Sequence, residues 1–240
     1  MNYKNYLKKG KSQIAVWGSG YIGLSTMAFF SRKKIKCVGY DIDEKKVNTI
    51  NSGKLPITEL KDWFGFDIKS SVKKKYLQAT NDHKKFYNDL FSVHFIAIPT
   101  EKNGKPFFDI LFNVLEKLIK IIKKKSKIRP VIIIESTLTP QCSEKKIIPF
   151  FKKHNLVPGK DFIYGVAPRR DWFVEGTKSL VDIDRVFGST DVNSSKIIKD
   201  ILSIVCKNLH EATSHKVSEM VKSIENASKL FGDSSEILKL

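Results

Sequence analysis

The segment from Gln13 to Gly23 constrains the fold more than any other part of the chain. A short β-prone run is followed by the pattern G-x-G-x-x-G at Gly18, Gly20 and Gly23. In a strand–turn–helix unit, Gly18 turns the chain off the strand, Gly20 lets a pyrophosphate approach the backbone, and Gly23 lets the helix pack against the sheet. The phosphates of a dinucleotide would then lie at the N-terminus of a helix predicted from Leu24 to Phe30. A glycine turn that binds nothing is the alternative.

A second β-prone run, from Ile35 to Tyr40, ends at Asp41. This carboxylate follows the glycines by roughly 20 residues, the spacing at which an acidic residue accepts a hydrogen bond from the adenosine ribose of a dinucleotide. The glycine motif alone is weak evidence, and Asp41 at this spacing strengthens it.

Two further apolar runs, Val93–Ile98 and Pro130–Ile134, read as strands and lead into Pro99–Thr100 and Ser136–Thr137. Apolar residues at helical spacing from Ile110 to Ile122 predict an amphipathic crossover helix. Because strands alternate with helices, we expect a Rossmann-like, doubly wound parallel α/β sheet, with its ligand beyond the carboxyl ends of the strands. The other predicted elements are helices at Glu44–Ile50, from about Ser143, at Asn193–Val205 and at His215–Leu230, and strands at Leu77–Thr80, Phe162–Val166 and Arg185–Phe187; no element is predicted for residues 54–76.

The net charge is strongly positive. Lysine and arginine together number 43, against 25 aspartates and glutamates, which gives +18. The excess is mostly lysine in scattered runs, whereas a nucleic-acid binder would more often show arginines for base edges, aromatic stacking platforms or a basic recognition helix. We therefore interpret the lysines as solvated surface that attracts polyanionic ligands, and expect no nucleic-acid partner.

The three cysteines, Cys37, Cys142 and Cys206, are too few and too far apart for a disulfide framework or a zinc site. We expect a reducing compartment and no metal. The first eleven residues are polar, unlike a signal peptide, and no apolar run reaches the roughly 18 residues that span a bilayer. A cytoplasmic location without membrane contact is the prediction.

Taken in order, these segments resemble the nucleotide-sugar dehydrogenases, the family of UDP-glucose, GDP-mannose and UDP-N-acetylmannosamine dehydrogenases. The resemblance looks strongest for the N-acetylmannosamine branch, and its most specific part is the block E-M-x-K-x-x-E-N near the carboxyl end. The matching segments are Gly18–Gly23, Gly39–Asp43, Ile98–Thr100, Glu135–Pro140, Asp171–Thr177 and Ser218–Ala227.

The resemblance implies an NAD-dependent oxidoreductase that converts the C6 alcohol of a UDP-sugar to a uronate for polysaccharide precursor synthesis. Two NAD are used per turnover, and a cysteine thiolate captures the intermediate aldehyde. The implied cofactor-binding residues are Gly18, Gly20, Tyr21, Ile22, Gly23, Asp41, Lys46, Pro99, Thr100, Thr137 and Glu175, and the implied catalytic residues are Lys222, Asn226 and Asp171.

Lys222 and Asn226 are four residues apart and share one face of the last predicted helix. A cation and an amide placed together can stabilise an oxyanion as a hydride leaves or as a tetrahedral intermediate forms. A lysine acting as a base, or a solvated helix face without a chemical role, are the alternatives.

The substrate loop departs from the family pattern. The family usually has a glutamate after Asn-Pro, and this chain has Arg169, Arg170 and Asp171 there. Asp171 takes the glutamate position if the following Glu-Gly-Thr is aligned. Because guanidinium groups suit phosphate oxygens, we expect Arg169 and Arg170 to bind the diphosphate of the substrate, with surface solubility as the alternative.

We expect residues 1–212 to form the NAD-binding domain and residues 213–240 to begin the family's central helical domain, which mediates a homodimer. The family's cysteine block and C-terminal nucleotide-sugar-binding domain are expected to be absent, and the three cysteines present to be ordinary thiols. A non-catalytic NAD-binding or oligomerisation module is the main alternative. A 6-phosphogluconate or 3-hydroxyacid type of dehydrogenase is a third possibility, disfavoured by the E-M-x-K-x-x-E-N block.

Overall fold

An eight-stranded sheet with helices on both faces forms the centre of the molecule. The structure is a computed structural model that describes residues 2–124, 128–169 and 180–231. The strands are β1 (Gln13–Trp17), β2 (Cys37–Tyr40), β3 (Leu77–Thr80), β4 (Phe91–Ile96), β5 (Glu101–Lys102), β6 (Lys105–Pro106), β7 (Val131–Ile134), β8 (Ile163–Val166), β9 (Arg185–Ser189) and β10 (Leu209–Glu211). Their order across the sheet is β3-β2-β1-β4-β7-β8-β9-β10, and β5 and β6 form a separate antiparallel pair.

The middle of the sheet is parallel and buried on both faces. Strand β1 pairs in parallel with β2 and β4, and β7 pairs in parallel with β4 and β8. Every residue of Val131–Ile134 is buried, as expected for an apolar run covered by helices on both sides. The predicted Rossmann-like α/β sheet is confirmed in this region.

Two helical layers cover the faces. The helices are α1 (Tyr3–Lys8), α2 (Tyr21–Arg32), α3 (Glu44–Asn51), α4 (Leu60–Phe64), α5 (Lys69–Lys73), α6 (Asp109–Lys123), α7 (Ile148–Lys153), α8 (Val192–Leu202) and α9 (His215–Phe231), with a 3₁₀ turn at His83–Phe86 and a π-helical turn at Ser143–Ile147. Side chains of α2 and α8 share one core cluster with Ile14 and Val16, while those of α6 and α7 share the other with Ala15 and Trp17. Alternate residues of β1 therefore face opposite layers, as the pleat of a strand requires.

One edge of the sheet differs from the parallel arrangement that the sequence predicts. Strand β9 runs antiparallel to β8, with Val166 opposite Gly188. The cause lies at the first residue of β9, because the buried Arg185 side chain donates to Glu135 and to the carbonyl oxygen of Ala167. Both partners lie just past the carboxyl ends of β7 and β8, so β9 begins at the edge where those strands end and must run back.

Several elements carry no clear pattern in the sequence. Residues 54–76 contain the two short helices α4 and α5. Trp63, Phe64 and Phe66 pack around Phe29, with ring centroids 5.4 to 5.8 Å apart. Helix α1 lies in the polar N-terminal segment, where the hydroxyl of Tyr3 donates to the carbonyl oxygen of Arg129. Tertiary contacts, rather than periodicity, position these pieces.

The longer predicted helices are confirmed, with ends shifted by a few residues. Helix α6 extends one residue beyond the predicted limits at each end and buries its apolar stripe, and α2 begins three residues earlier than predicted, at Tyr21. Within the described ranges, no helix combines the length and apolarity that crossing a membrane requires.

His94 makes the stability of the fold depend on pH. Its imidazole is fully buried on β4, where Nδ1 lies 3.3 Å from the indole Nε1 of Trp17 and Nε2 lies 3.1 Å from the carbonyl oxygen of Phe91. Burial lowers the pKa of His94 to about 4. Since the unfolded chain takes up this proton near the ordinary pKa of about 6.5, stability is lost as pH falls from about 6.5 to about 4.

We predict that the contribution of His94 lowers the free energy of unfolding by about 3 kcal/mol as pH falls through that interval, because the unfolded chain binds the proton before the folded chain does. The measurement is urea denaturation from pH 7 to pH 4, for the unmodified chain and for His94→Gln. The difference between the two pH profiles isolates His94 from the other titrating groups. Profiles of equal slope over the interval would contradict the assignment.

Candidate functional site

The turn between β1 and α2 is built around close backbone approaches. Gly18 has a φ of +95°, and a Cβ on it would lie 2.4 Å from the carbonyl oxygen of Ala97. A Cβ on Gly23 would lie 1.9 Å from the carbonyl oxygen of Gly18. Neither position can take a side chain without moving backbone, so the two glycines have the mechanical roles that the motif predicts.

Gly20 differs from these two glycines. It is the N-cap residue of α2, with φ −75° and ψ −163°, and a Cβ built on it meets no heavy atom of the described residues within 4 Å. The following residue, Tyr21, is 40% exposed. No described residue therefore fills the space beside Gly20 at the N-terminus of α2, a twelve-residue helix, where the dipole and backbone N–H groups favour an anion.

Asp41 is tied to this turn from the neighbouring strand. Its carboxylate is largely buried and accepts hydrogen bonds from the backbone N–H of Ser19 at 3.0 Å and of Asp43 at 3.1 Å. The ammonium group of Lys46 lies 3.0 Å from the same carboxylate. The structure thus brings together three predicted features, the glycine turn, Asp41 and Lys46.

The loops after β4 and β7 form the other side of the crevice. The hydroxyl of Ser136 accepts from the N–H of Ile98 at 2.9 Å and donates to its carbonyl oxygen at 2.7 Å. The hydroxyl of Thr100 donates to the carbonyl oxygen of Thr137 at 2.5 Å. Pro99 lies between these bonded positions. The loop after β4 also bounds the glycine turn through Ala97, so the four predicted strand ends meet at one edge of the sheet.

A buried ionic cluster lies beneath this edge. The carboxylate of Glu135 accepts from Arg185 and, at 2.6 Å, from the hydroxyl of Thr26 on α2. Arg169 adds a guanidinium 3.8 Å from Glu135, and all three charged side chains are at most 3% exposed. Glu135 was predicted only as part of a family segment and Arg185 only as a strand residue. Charged residues at the ends of apolar strands are the sequence signal for such a cluster.

The position of Arg169 corrects one sequence-based prediction. Its guanidinium donates to the hydroxyl of Thr26 at 2.7 Å and to that of Ser25 at 2.8 Å, and so faces the interior side of α2. A guanidinium that is 3% exposed and donates to two buried hydroxyls is placed as a structural group, which does not agree with the expected contact to a substrate diphosphate. Arg170, Asp171 and Glu175 lie outside the described residues.

Helix α9 carries the two predicted catalytic residues. Lys222 is 8% exposed, and its ammonium group lies 3.4 Å from the carboxylate of Glu225. Asn226, one turn further, is partly buried. The solvated face that was the alternative does not describe Lys222, because a lysine is rarely buried without a structural or chemical role.

A carboxylate for which the sequence predicts no individual role, the first glutamate of the E-M-x-K-x-x-E-N block, lies one turn before Lys222. Glu219 is 1% exposed and accepts from the backbone N–H of Ser143 at 2.9 Å and from the Ser143 hydroxyl. That hydroxyl is also 2.5 Å from the phenol oxygen of Tyr164. Burial raises the pKa of Glu219, and raises that of Tyr164 further.

The three cysteines are all free and buried. Burial raises the pKa of Cys142 to about 11 and also raises the pKa values of Cys37 and Cys206. A thiol in such surroundings is a poor nucleophile near neutral pH, because the reactive form is the thiolate. The interpretation of all three as ordinary thiols agrees with these positions.

Comparison with known proteins decides the family of the chain. A family model described as "UDP-glucose/GDP-mannose dehydrogenase family, NAD binding domain" matches residues 12–205. The chain belongs to the UDP-glucose/GDP-mannose dehydrogenase family. Its cofactor is NAD, and the crevice suits that cofactor because Gly20 leaves space beside a helix N-terminus and Asp41 offers a carboxylate one strand away.

Relatives of known name agree with this assignment. The chain is 31% identical over 223 residues to a UDP-N-acetyl-D-mannosamine dehydrogenase of Methanococcus aeolicus, covering 91% of this chain and 48% of the relative. It is 30% identical to Protein CapL of Staphylococcus aureus, covering 90% and 49%. The structure of a UDP-D-ManNAc dehydrogenase from Pyrococcus horikoshii superposes with a TM-score of 0.77 at 27% identity, covering 90% and 50%. The chain thus spans about half the length of these dehydrogenases.

Replacing Arg169 tests its structural role within this dehydrogenase family domain. We predict that Arg169→Ala lowers the free energy of unfolding by about 2 to 4 kcal/mol, because the change leaves buried hydroxyls and Glu135 short of a cationic donor. Arg129→Ala, which removes an exposed guanidinium, should cost less than about 1 kcal/mol. Urea denaturation measures both. An Arg169→Ala protein as stable as the unmodified chain would return this residue to the list of ligand candidates.

Proposed function

We propose that this chain holds NAD at the N-terminus of α2 for the oxidation of the C6 alcohol of a UDP-sugar, as a step towards a uronate in polysaccharide precursor synthesis. The observation that carries the proposal is the convergence of Gly20, Asp41, Thr100 and Thr137 at the carboxyl edge of one parallel sheet. A UDP-N-acetylhexosamine is the proposed substrate class, because several relatives bear the name UDP-N-acetyl-D-mannosamine dehydrogenase.

The residues at this edge divide into two groups by their contacts. Backbone around Gly20 would receive the cofactor diphosphate, and Asp41 with Lys46 would hold the adenosine ribose. Asp41 is already oriented by Ser19 and Asp43, so its carboxylate needs little rearrangement. Thr100 and Thr137 would line the nicotinamide side, with Pro99 shaping the loop between them. Bound NAD would supply the hydride acceptor.

Lys222 and Asn226 would act on the substrate alcohol and on the aldehyde formed from it. A buried ammonium group can stabilise negative charge on oxygen better than an exposed one, because less water screens it. Asn226 adds a neutral donor on the same face of α9. Lys222 has a carboxylate neighbour in Glu225 at 3.4 Å, and of the two roles we propose that of electrostatic stabiliser.

Calorimetric titration with NAD tests the cofactor site. We predict that the unmodified chain binds NAD and that Gly20→Val weakens binding by about tenfold or more. A side chain there would occupy the diphosphate position while leaving the fold unstrained, since Gly20 has an extended backbone conformation and open surroundings. Asp41→Asn should also weaken binding by about tenfold, as expected for loss of a charge-assisted hydrogen bond.

Asp62→Asn is the matched control for Asp41→Asn, because Asp62 is an exposed acid on α4. Its NAD affinity should equal that of the unmodified chain. Circular dichroism on each variant confirms that the fold is retained. A folded, unmodified chain without measurable NAD affinity, or a Gly20→Val protein with full affinity, would remove the proposed cofactor site.

The second oxidation, from aldehyde to carboxylate, needs a reactive group that the first oxidation does not need. The resemblance implies that a cysteine thiolate captures the aldehyde, whereas the three thiols of this chain are buried and have raised pKa values. We predict that the 240-residue chain forms no uronate from UDP-N-acetylmannosamine and NAD. Mass spectrometry of the sugar products provides the measurement, and uronate formed above the level of a boiled control would contradict the prediction.

The same buried thiols favour a second candidate function, a non-catalytic NAD-binding or oligomerisation module. Three large apolar side chains on α9, Val217, Met220 and Ile224, are 41%, 53% and 60% exposed and suit a partner surface. NAD binding without any turnover, hydride transfer included, would support this candidate. The homodimer implied by the resemblance stays a prediction, and light scattering at increasing protein concentration measures it. The division of the chain into two domains between residues 212 and 213 also stays a prediction.

A further inference from the structure

Buried polar contacts from three residues attach the start of α9 to the ends of β8 and β9 and to the π-helical turn. The hydroxyl of Ser218 donates to the carbonyl oxygen of Val166 at 3.0 Å, at the end of β8. His215 Nδ1 lies 3.3 Å from the carbonyl oxygen of Ser189, at the end of β9. Glu219 accepts two hydrogen bonds from Ser143. Together these contacts fix how α9 leaves the sheet.

The Glu219 contact differs from the other two because the group it buries is a carboxylate. A carboxylate without water around it loses several kcal/mol of solvation, which hydrogen bonds restore only in part. An apolar side chain of similar size would pack α9 as firmly at less cost. What a carboxylate adds is direction, because its oxygen accepts the N–H and the O–H of one serine and so allows few orientations of the helix.

Ser143 is itself held in place by buried contacts. It begins the π-helical turn that follows the loop after β7, and its hydroxyl is bonded to the buried Tyr164 of β8. The same loop carries Thr137 at the crevice. Glu219 thus connects α9 with Ser143 and Tyr164 through contacts in which each partner is buried, and Ser143 directly follows the loop that carries Thr137.

Lys222 follows Glu219 by three residues and Asn226 follows it by seven, so all three lie on one side of the helix. We propose that Glu219 is the positioning residue that sets Lys222 and Asn226 against the carboxyl edge of the sheet, through its hydrogen bonds to Ser143. The chemical importance of this placement rests on the function proposed above for Lys222 and Asn226. The placement itself does not depend on that function.

The reactivity of individual lysines tests the proposal without any turnover. The 240-residue chain is reductively methylated under conditions of partial reaction, and the rate at each lysine is read by peptide mass spectrometry. Lys222 has a side chain that is 10% exposed and should react slowly. Lys216, on the same helix with a side chain 49% exposed, is the internal control.

We expect Glu219→Ala to raise the methylation rate of Lys222 by about tenfold, the factor that corresponds to losing about 1.4 kcal/mol of local stability, with the Lys216 rate unchanged. Amide hydrogen exchange should accelerate along α9 and remain as in the unmodified chain in β1 and β4. Glu219→Gln should recover most of the protection, because its amide oxygen accepts the same two donors. Ser228→Ala, a truncation at an exposed residue of α9, should change neither rate.

An unchanged Lys222 rate in Glu219→Ala, or a Glu219→Gln protein as reactive as Glu219→Ala, would overturn the proposal. If Glu219→Ala unfolds the whole domain, Ser143→Ala decides, since it removes one donor and keeps the carboxylate. A faster Lys222 reaction in that variant supports positioning, and an unchanged rate overturns it. NAD titration of the unmodified chain distinguishes failure of the proposed function from failure of the positioning role of Glu219. If the chain does not bind NAD, the proposed function fails, while the predicted methylation rates of Lys222 and Lys216 stay the same.

Discussion

The backbone at Gly18 passes so close to the carbonyl oxygen of Ala97 that no side chain fits between them. Gly23 closes the turn from the other side, against the carbonyl oxygen of Gly18. These two contacts bring the first turn of α2 to the carboxyl ends of β1 and β4. Because the neighbouring strands are parallel, Asp41 and Thr137 then arrive at the same edge without further adjustment. The crevice is therefore a consequence of how tightly one loop packs.

The buried charges beneath the crevice attach the elements that follow β7 and β8 to the rest of the sheet. Glu135 connects α2, through Thr26, with the first residue of β9, through Arg185. An ionic cluster is a costly way to fill an interior, but its bonds are directional. Here that direction has a visible result, since it fixes where β9 begins and hence that it runs antiparallel to β8.

Local patterns in the sequence predict much of this architecture. Alternation of β-prone runs with amphipathic segments predicts the parallel sheet, and the spacing from Gly18 to Asp41 predicts that Asp41 lies beside the glycine turn, where it accepts from Ser19. These signals succeed because each depends on residues that are near one another in the chain. The short helices α4 and α5 show the limit, since five residues are too few to display a period, and aromatic contacts with Phe29 hold α4 in place.

Side-chain direction is the part that the sequence does not convey. Arg169 has the chemistry of a phosphate ligand, and only the position of Ser25 and Thr26 reveals that it faces inward. Glu219 opens the E-M-x-K-x-x-E-N block, but its burial is evident only when Ser143, 76 positions earlier, is seen beside it. Both residues depend on partners that are distant in sequence, so propensity and spacing cannot detect them.

The central claim is that a dinucleotide diphosphate lies on the N-terminus of α2 with its adenosine ribose on Asp41. A crystal structure of the 240-residue chain grown with NAD tests it most directly. The account predicts diphosphate density beside Gly20 and a hydrogen bond of about 2.6 to 3.0 Å that a ribose hydroxyl donates to an Asp41 carboxylate oxygen. NAD bound elsewhere, or an Asp41 carboxylate that makes no contact with the ribose, would contradict it.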